Sequence, residues 1–214
     1  MGFFSNPDPD TSFLILVRHG ATTANLERPN RLQGQRIDLP LSDEGRRQAE
    51  AVARLLASHP LARVLSSPLK RAMETADAIA SPHEVPVESV AALIECDVGR
   101  WEGMSWEAIE HEDPVRYRAF MSDPTHDGYA GGENFAQVHD RVAPVLGQLL
   151  EEARGTTVAV VGHNVVNRVC LADILGVPSR LSRHIVQHNG GVNVIRWRAG
   201  ETTLITLNSI WHLE

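Results

Sequence analysis

The chain has 214 residues, 43% of them hydrophobic, which suits one domain with a buried core and excludes a wholly disordered protein. Twenty Lys and Arg against 27 Asp and Glu give a formal charge of −7, the wrong sign for coating nucleic acid or an anionic membrane, so any anionic ligand must meet a local positive pocket. No apolar run approaches the roughly 20 residues that span a bilayer, no signal peptide is evident, and Asn6 stands where myristoylation wants Ser or Thr, so a cytoplasmic protein is expected.

Residues 1–11, with Pro7, Asp8, Pro9 and Asp10, carry no periodic apolar pattern and are expected to form a mobile leader to a single domain over 12–214. Residues 13–17 form an unbroken apolar run that stops at Arg18-His19-Gly20, which predicts a central strand buried on both faces. From 42 to 59, a capping Ser42 precedes Ala49, Val52, Ala53, Leu55 and Leu56 at helical spacing. Residues 63–67 read as a second strand, with Pro68 opening a helix that carries Ala72, Met73, Ala76 and Ile79.

The stretch 96–141 holds Trp101, Trp106, Tyr117 and Tyr129, scattered acids and a glycine-rich loop at 128–132. It reads as a helical excursion over one sheet edge, a cap at about 100–140. Residues 156–161 repeat the strand pattern, 165–175 the helix, with Gly176 and Pro178 as the stop. Residues 192–197 and 203–207, separated by Ala199-Gly200-Glu201, predict a closing hairpin. Three strand-loop-helix units argue for an α/β layered sheet. Cys96 and Cys170, without an export signal, read as reduced thiols.

In open α/β sheets ligands bind outside the carboxyl ends of the strands, which here carry Arg18-His19, Ser66-Ser67 leading to Arg71, and His163-Asn164. Two histidines and two arginines would converge on one pocket beside helix N-termini, a composition that selects a phosphoryl group. A single histidine at a strand end is more often structural than catalytic. What shifts the balance is Arg18 directly after a buried run, because an unpaired buried guanidinium demands an anionic partner, either a carboxylate of the fold or a ligand. His184 and His188 have helical spacing but no third ligand, so no metal site is assigned, and neither a P-loop nor a dinucleotide motif is present.

Residues 16–25, with Arg18-His19-Gly20, resemble the signature of the histidine phosphatase superfamily, the branch that includes cofactor-dependent phosphoglycerate mutases and related phosphatases. Gln33-Gly34 with residues 38–49, Ser66-Ser67-Pro68 through Ala76, Glu95 with residues 93–103, Gly131-Gly132-Glu133-Asn134, and Gly162-His163-Asn164 are similar to further blocks of the family in the same order. Arg-His-Gly alone is a weak signal; six ordered blocks are a strong one.

The resemblance implies a phosphoglycerate-mutase-like fold: a three-layer α/β sandwich, a mostly parallel central sheet with helices on both faces and a small helical cap. It implies a metal-independent phosphatase without cofactor, acting on a small phosphorylated metabolite. His19 would be the nucleophile, Glu95 the proton donor, and Arg18, Arg71 and His163 the groups around the phosphoryl. Asn25, Gln33, Gly34 and Asn164 would contact phosphate or substrate, while Trp101 and Glu102 support the Glu95 loop. The alternatives are a phosphoglycerate mutase and a non-catalytic module that binds phosphorylated ligands. The short span from Gly103 to Gly131 and Asn164 after the second histidine favour the phosphatase. A homodimer is compatible with the sequence, which leaves the natural substrate open.

Overall fold

A computed structural model describes residues 7–214. Residues 1–6 of the expected leader lie outside the described residues. Thr11 is not part of a leader: it is buried and opens β1 (Thr11–Arg18), because pairing with Arg198 on the neighbouring strand extends the ladder back to it. A one-turn α1 (Thr23–Leu26) and a loop lead to α2 (Asp43–Leu56), whose N-cap Ser42 Oγ accepts the Gly45 N–H at 3.0 Å.

β2 (Arg63–Ser66) is followed by α3 (Lys70–Ala80), which starts two residues later than Pro68 suggested. Ser67 prolongs the ladder through its N–H to the Val161 carbonyl at 3.1 Å, so the chain cannot turn into a helix before Lys70, whose N–H is capped by Asp38 Oδ1 at 2.8 Å. A three-residue edge strand, β3 (Val87–Ser89), escaped sequence reading. The cap consists of α4 (Trp106–Glu112) and α5 (Pro114–Ser122).

The expected excursion to residue 140 ends earlier than that. α6 (Phe135–Glu152) is a helix of the sandwich itself, burying Phe135, Val138, Val142, Leu146, Leu149 and Leu150 along one stripe. Pro144 lies within it on the exposed side, where water can take the carbonyl that the missing N–H leaves free. Then come β4 (Thr157–Gly162), α7 (Asn164–Ile174), β5 (Val192–Arg198) and β6 (Glu201–Ser209). The β5–β6 turn places Ala199 and Gly200 at φ 51° and 86°, the two left-handed positions of a tight hairpin.

The sheet order is β3-β2-β4-β1-β5-β6, parallel from β3 to β1 and antiparallel across β1-β5-β6. Strand alternation divides the core: Leu14 and Leu16 face α6 and α7, whereas Phe13, Ile15 and Val17 face α2 and α3. Each of these side chains is at most 7% exposed, and burial of each stabilises by about 2 kcal/mol. The cap joins the first core through an aromatic cluster, with Phe120 4.5 Å from Tyr129 and 5.6 Å from Trp106 between ring centroids. Cys96 and Cys170 are free and buried. No helix among the described residues is long and apolar enough to cross a membrane.

Candidate active site

The parallel ladder sets the site. Arg18 pairs with Gly162, and the His19 N–H donates to the Gly162 carbonyl at 3.1 Å, so His19 and His163 leave adjacent strands at the same level. Their ring centroids are 5.1 Å apart at an interplanar angle of 60°. Ser67 leaves β2 on the other side of β4, so all three sequence-predicted strand ends meet at one carboxyl edge.

His19 is 3% exposed and its Nδ1 lies 2.7 Å from the Gly20 carbonyl oxygen. A carbonyl only accepts, so Nδ1 carries the proton and Nε2 keeps its lone pair. Burial first, then the Arg71 and Arg18 charges, push the imidazole well below the usual histidine range, so the ring is neutral at pH 7. Gly20 is held in turn: its N–H donates to Thr75 Oγ1 at 3.1 Å, and the Thr75 hydroxyl donates to the Arg71 carbonyl at 2.7 Å.

His163 is fully buried, with Nε2 2.7 Å from Ser67 Oγ and with Nδ1 unpartnered among the described residues. Ser67 Oγ also accepts the Leu69 N–H at 3.4 Å, and its own hydroxyl proton can be given to His163 Nε2, the arrangement in which Nδ1 is the N–H donor facing the site. Burial, then Arg71, His19 and Arg18, hold His163 well below the usual range as well.

Arg71 is also fully buried, donating from Nη2 to the Gly34 carbonyl at 2.8 Å and from Nη1 to the Ile37 carbonyl at 3.3 Å. Arg18 Nη1 donates to the Gln187 carbonyl at 2.6 Å, and burial lowers its pKa to about 10 against the opposing pull of Glu95. The Nε atoms of both are buried without partners, and no carboxylate lies within ion-pair distance of either guanidinium among the described residues. Two cations without an ion-pair partner among the described residues, beside a neutral imidazole, form a seat for an anion.

Glu95, 5% exposed, accepts N–H groups from Cys96 (2.9 Å), Val165 (3.3 Å) and Val166 (3.4 Å). The last two belong to the first turn of α7, whose positive end suits a carboxylate. Arg18, His19, Asn25, Gln33, Glu95 and Asn164 line one cavity of about 320 Å³; Arg71 and His163 lie buried behind it.

Gly34 departs from expectation. Its N–H donates to Glu102 Oε1 at 3.0 Å, so it is engaged within the fold, and the residue serves the site by presenting its carbonyl to Arg71. Glu102 Oε1 also accepts the Arg36 and Ile37 N–H groups at 2.9 and 2.7 Å, so it braces the 34–37 loop that holds Arg71 rather than the Glu95 loop. The Gln33 amide is similarly engaged, accepting from Thr22 Oγ1 at 2.8 Å and donating to the Ile37 carbonyl at 2.9 Å. Asn25 Oδ1 accepts the Thr22 N–H at 3.0 Å, while Asn164 Oδ1 is buried and unpartnered among the described residues.

Sequence reasoning missed Arg168, Gln187 and Trp106, which also line the cavity. Arg168 is one helical turn beyond Asn164 and its Nε donates to the Ile185 carbonyl at 2.8 Å; that i, i+4 spacing was the available signal. Gln187 comes from the α7–β5 connection and has no sequence signal. No group of three or more His, Cys, Asp or Glu among the described residues could hold a metal ion.

A family model described as the histidine phosphatase superfamily (branch 1) matches residues 14–210. Phosphoserine phosphatase 1 of Hydrogenobacter thermophilus is 33% identical over 200 residues, covering 94% of this chain and 93% of that protein. Phosphoglycerate mutase-like protein 4 of Arabidopsis thaliana is 34% identical over 215 residues, covering 99% and 91%. The crystal structure of phosphoserine phosphatase from Entamoeba histolytica in complex with 3-phosphoglyceric acid superimposes with a TM-score of 0.84 at 28% identity, covering 95% of this chain and 100% of that one.

Proposed function

This chain belongs to the histidine phosphatase superfamily, branch 1, and on that premise we propose that it is a metal-independent phosphatase that hydrolyses small phosphomonoesters through a phosphohistidine on His19. The observation that carries the reading is the Nδ1–H to Gly20 carbonyl bond, which leaves the lone pair of a neutral Nε2 for phosphorus beside the buried Arg71 and the half-buried Arg18. In the first displacement Nε2 forms an N–P bond as the P–O bond to the alcohol breaks, and Glu95 gives its proton to the leaving oxygen. In the second, water attacks phosphorus, Glu95 takes its proton, and the N–P electrons return to Nε2 as inorganic phosphate departs. Arg18, Arg71 and His163 Nδ1–H compensate the oxygens throughout, positioned fixed charge being the main catalytic device for phosphoryl transfer.

The name of the Arabidopsis relative favours a second reading, a phosphoglycerate mutase. The two differ only in whether the phosphoryl returns to a bound acid or passes to water. A cap of two helices, seven and nine residues long, is a modest barrier to water and supports hydrolysis, as do the phosphatase names of the Hydrogenobacter and Entamoeba proteins. Retention of His19, Arg18, Arg71, Glu95 and His163 around one cavity argues against a module that only binds.

The test is phosphate release from 4-nitrophenyl phosphate with EDTA present, in the parent and in His19→Ala, alongside conversion of 3-phosphoglycerate to 2-phosphoglycerate primed with a bisphosphoglycerate. Release that survives EDTA and is lost in His19→Ala is the expected result. Loss in EDTA, retention in His19→Ala, or isomerisation far faster than release overturns the phosphatase reading.

A further inference from the structure

Glu95 sits in irregular chain between 3-10 turns at Ala91–Leu93 and Gly99–Trp101, so no ladder or helix fixes the backbone that carries it. The fixing groups come from α6 and the glycine loop before it. Arg141 pairs with Glu133 in two prongs, Nε to Oε1 at 2.8 Å and Nη2 to Oε2 at 3.0 Å, with the side chains 22% and 21% exposed. The same guanidinium donates from Nη1 to the Ala92 carbonyl at 2.6 Å and from Nη2 to the Glu95 carbonyl at 3.2 Å.

The Glu95 carbonyl also accepts Gln35 Nε2 at 2.7 Å, and that amide reaches Glu133 Oε2 at 3.4 Å. Glu133 Oε2 accepts the Asp97 N–H at 2.8 Å, and the Glu133 N–H donates back to the Asp97 carbonyl at 2.8 Å. The backbone is therefore gripped at 92, 95 and 97, on both sides of the Glu95 side chain.

We propose that the Glu133–Arg141 pair is a positioning clamp for proton transfer, holding the Glu95 carboxyl against the leaving-group oxygen of the substrate. The inference rests on the reading of Glu95 as the proton donor. A general acid works only within hydrogen-bond reach of its target, and a displacement of about 1 Å costs on the order of 10²-fold in rate. The two-pronged geometry matters here because a point charge cannot align the Ala92 and Glu95 carbonyls while it pairs with Glu133. Neither Glu133 nor Arg141 is among the residues lining the cavity, so the pair acts through Glu95.

A role in proton donation has a signature that loss of general stability lacks. An acidic phenol leaves without help, whereas a basic one needs the proton, so a displaced acid steepens the dependence of rate on leaving-group basicity. The experiment measures kcat/KM, which reports the phosphorylation step, for aryl phosphates from 4-nitrophenyl to unsubstituted phenyl phosphate. It compares the parent, Glu95→Gln, Glu133→Gln and Arg141→Lys, with a Tm for each.

Both clamp variants are expected to steepen the series in the direction of Glu95→Gln, losing about 10²-fold on phenyl phosphate and far less on the nitrophenyl ester. Equal losses across the series in the clamp variants, while Glu95→Gln steepens it, overturn the clamp and leave the donor standing. No steepening in Glu95→Gln removes the donor and the clamp together. If Arg141→Lys or Glu133→Gln does not fold, Gln35→Met takes its place: it removes one grip on the Glu95 carbonyl and the 3.4 Å contact to Glu133 Oε2 while keeping both charges of the ion pair, and an unchanged slope there counts against the clamp.

Discussion

His19 and His163 directly follow the ends of neighbouring parallel strands with ring centroids 5.1 Å apart, and both are almost wholly shielded from water. Arg71 and Arg18 lower both rings further after burial has acted. Protonating either ring would add a cation to a pocket that already holds Arg18, Arg71 and Arg168.

That arrangement predicts the acid side of the stability curve. Both histidines have folded-state pKa values well below 6.5, whereas the unfolded chain titrates them near 6.5. Below pH 6.5 the unfolded state binds protons that the folded state refuses, so stability is complete above that pH and falls as pH drops, by about 1.4 kcal/mol per pH unit for each ring. Urea midpoints measured from pH 7 to pH 5 should decline, and the decline should be shallower in the His19→Gln, His163→Gln double variant. Parallel curves would show that other groups govern the loss.

Arg71 carries the second prediction. Its fork is anchored on the Gly34 and Ile37 carbonyls with Nε left over, a geometry that a lysine ammonium cannot reproduce. Arg71→Lys keeps the charge and should still lower kcat by about 10²-fold, the usual effect of removing one positioned donor. Steady-state kinetics near the parental values would place the guanidinium outside the reaction.

Much of this geometry was readable from the chain. The run at 13–17 gave the central strand because both faces of a parallel sheet are covered, and the three strand ends marked the pocket because ligands collect there. Residues whose role depends on partners distant in sequence were hidden. Gly34 looks like a donor until Glu102, 68 residues away, takes its N–H. α6 carries a clear apolar stripe, but its first residues fall inside the excursion expected to run to about 140, beside the aromatic segment. The braces on Glu95 converge from residues 35, 133 and 141, a closure that only tertiary structure reveals.

Ser67 yields a third prediction. Its hydroxyl lies 2.7 Å from His163 Nε2, and by donating there it favours the Nδ1–H tautomer that the proposed reaction uses. Ser67→Ala removes one hydrogen bond, worth about 1 kcal/mol, and frees the ring to take the other tautomer, so kcat should fall roughly tenfold with KM little changed. A fall confined to KM would mean that His163 serves binding rather than the transition state.

The final prediction concerns two glycines in opposite surroundings, Gly20 and Gly147. A Cβ on Gly20 would lie 2.3 Å from the Gly45 carbonyl oxygen, backbone against backbone, and the α2 N-terminus would have to retreat. That retreat strains the Ser42 N–H to Ala21 carbonyl bond at 2.9 Å and the Ala21 N–H to Gln48 Oε1 bond at 2.9 Å, and it disturbs the carbonyl that sets the His19 tautomer. Gly20→Ala should therefore cost about 3 kcal/mol and most of the activity. Gly147, inside α6 and with nothing within 4 Å of an added Cβ, is the opposite case: Gly147→Ala should stabilise by about 0.5–1 kcal/mol and leave turnover unchanged. Urea denaturation of the two variants checks the pair, and equal effects would show that the close approach between the first strand's exit and α2 is not a constraint on the fold.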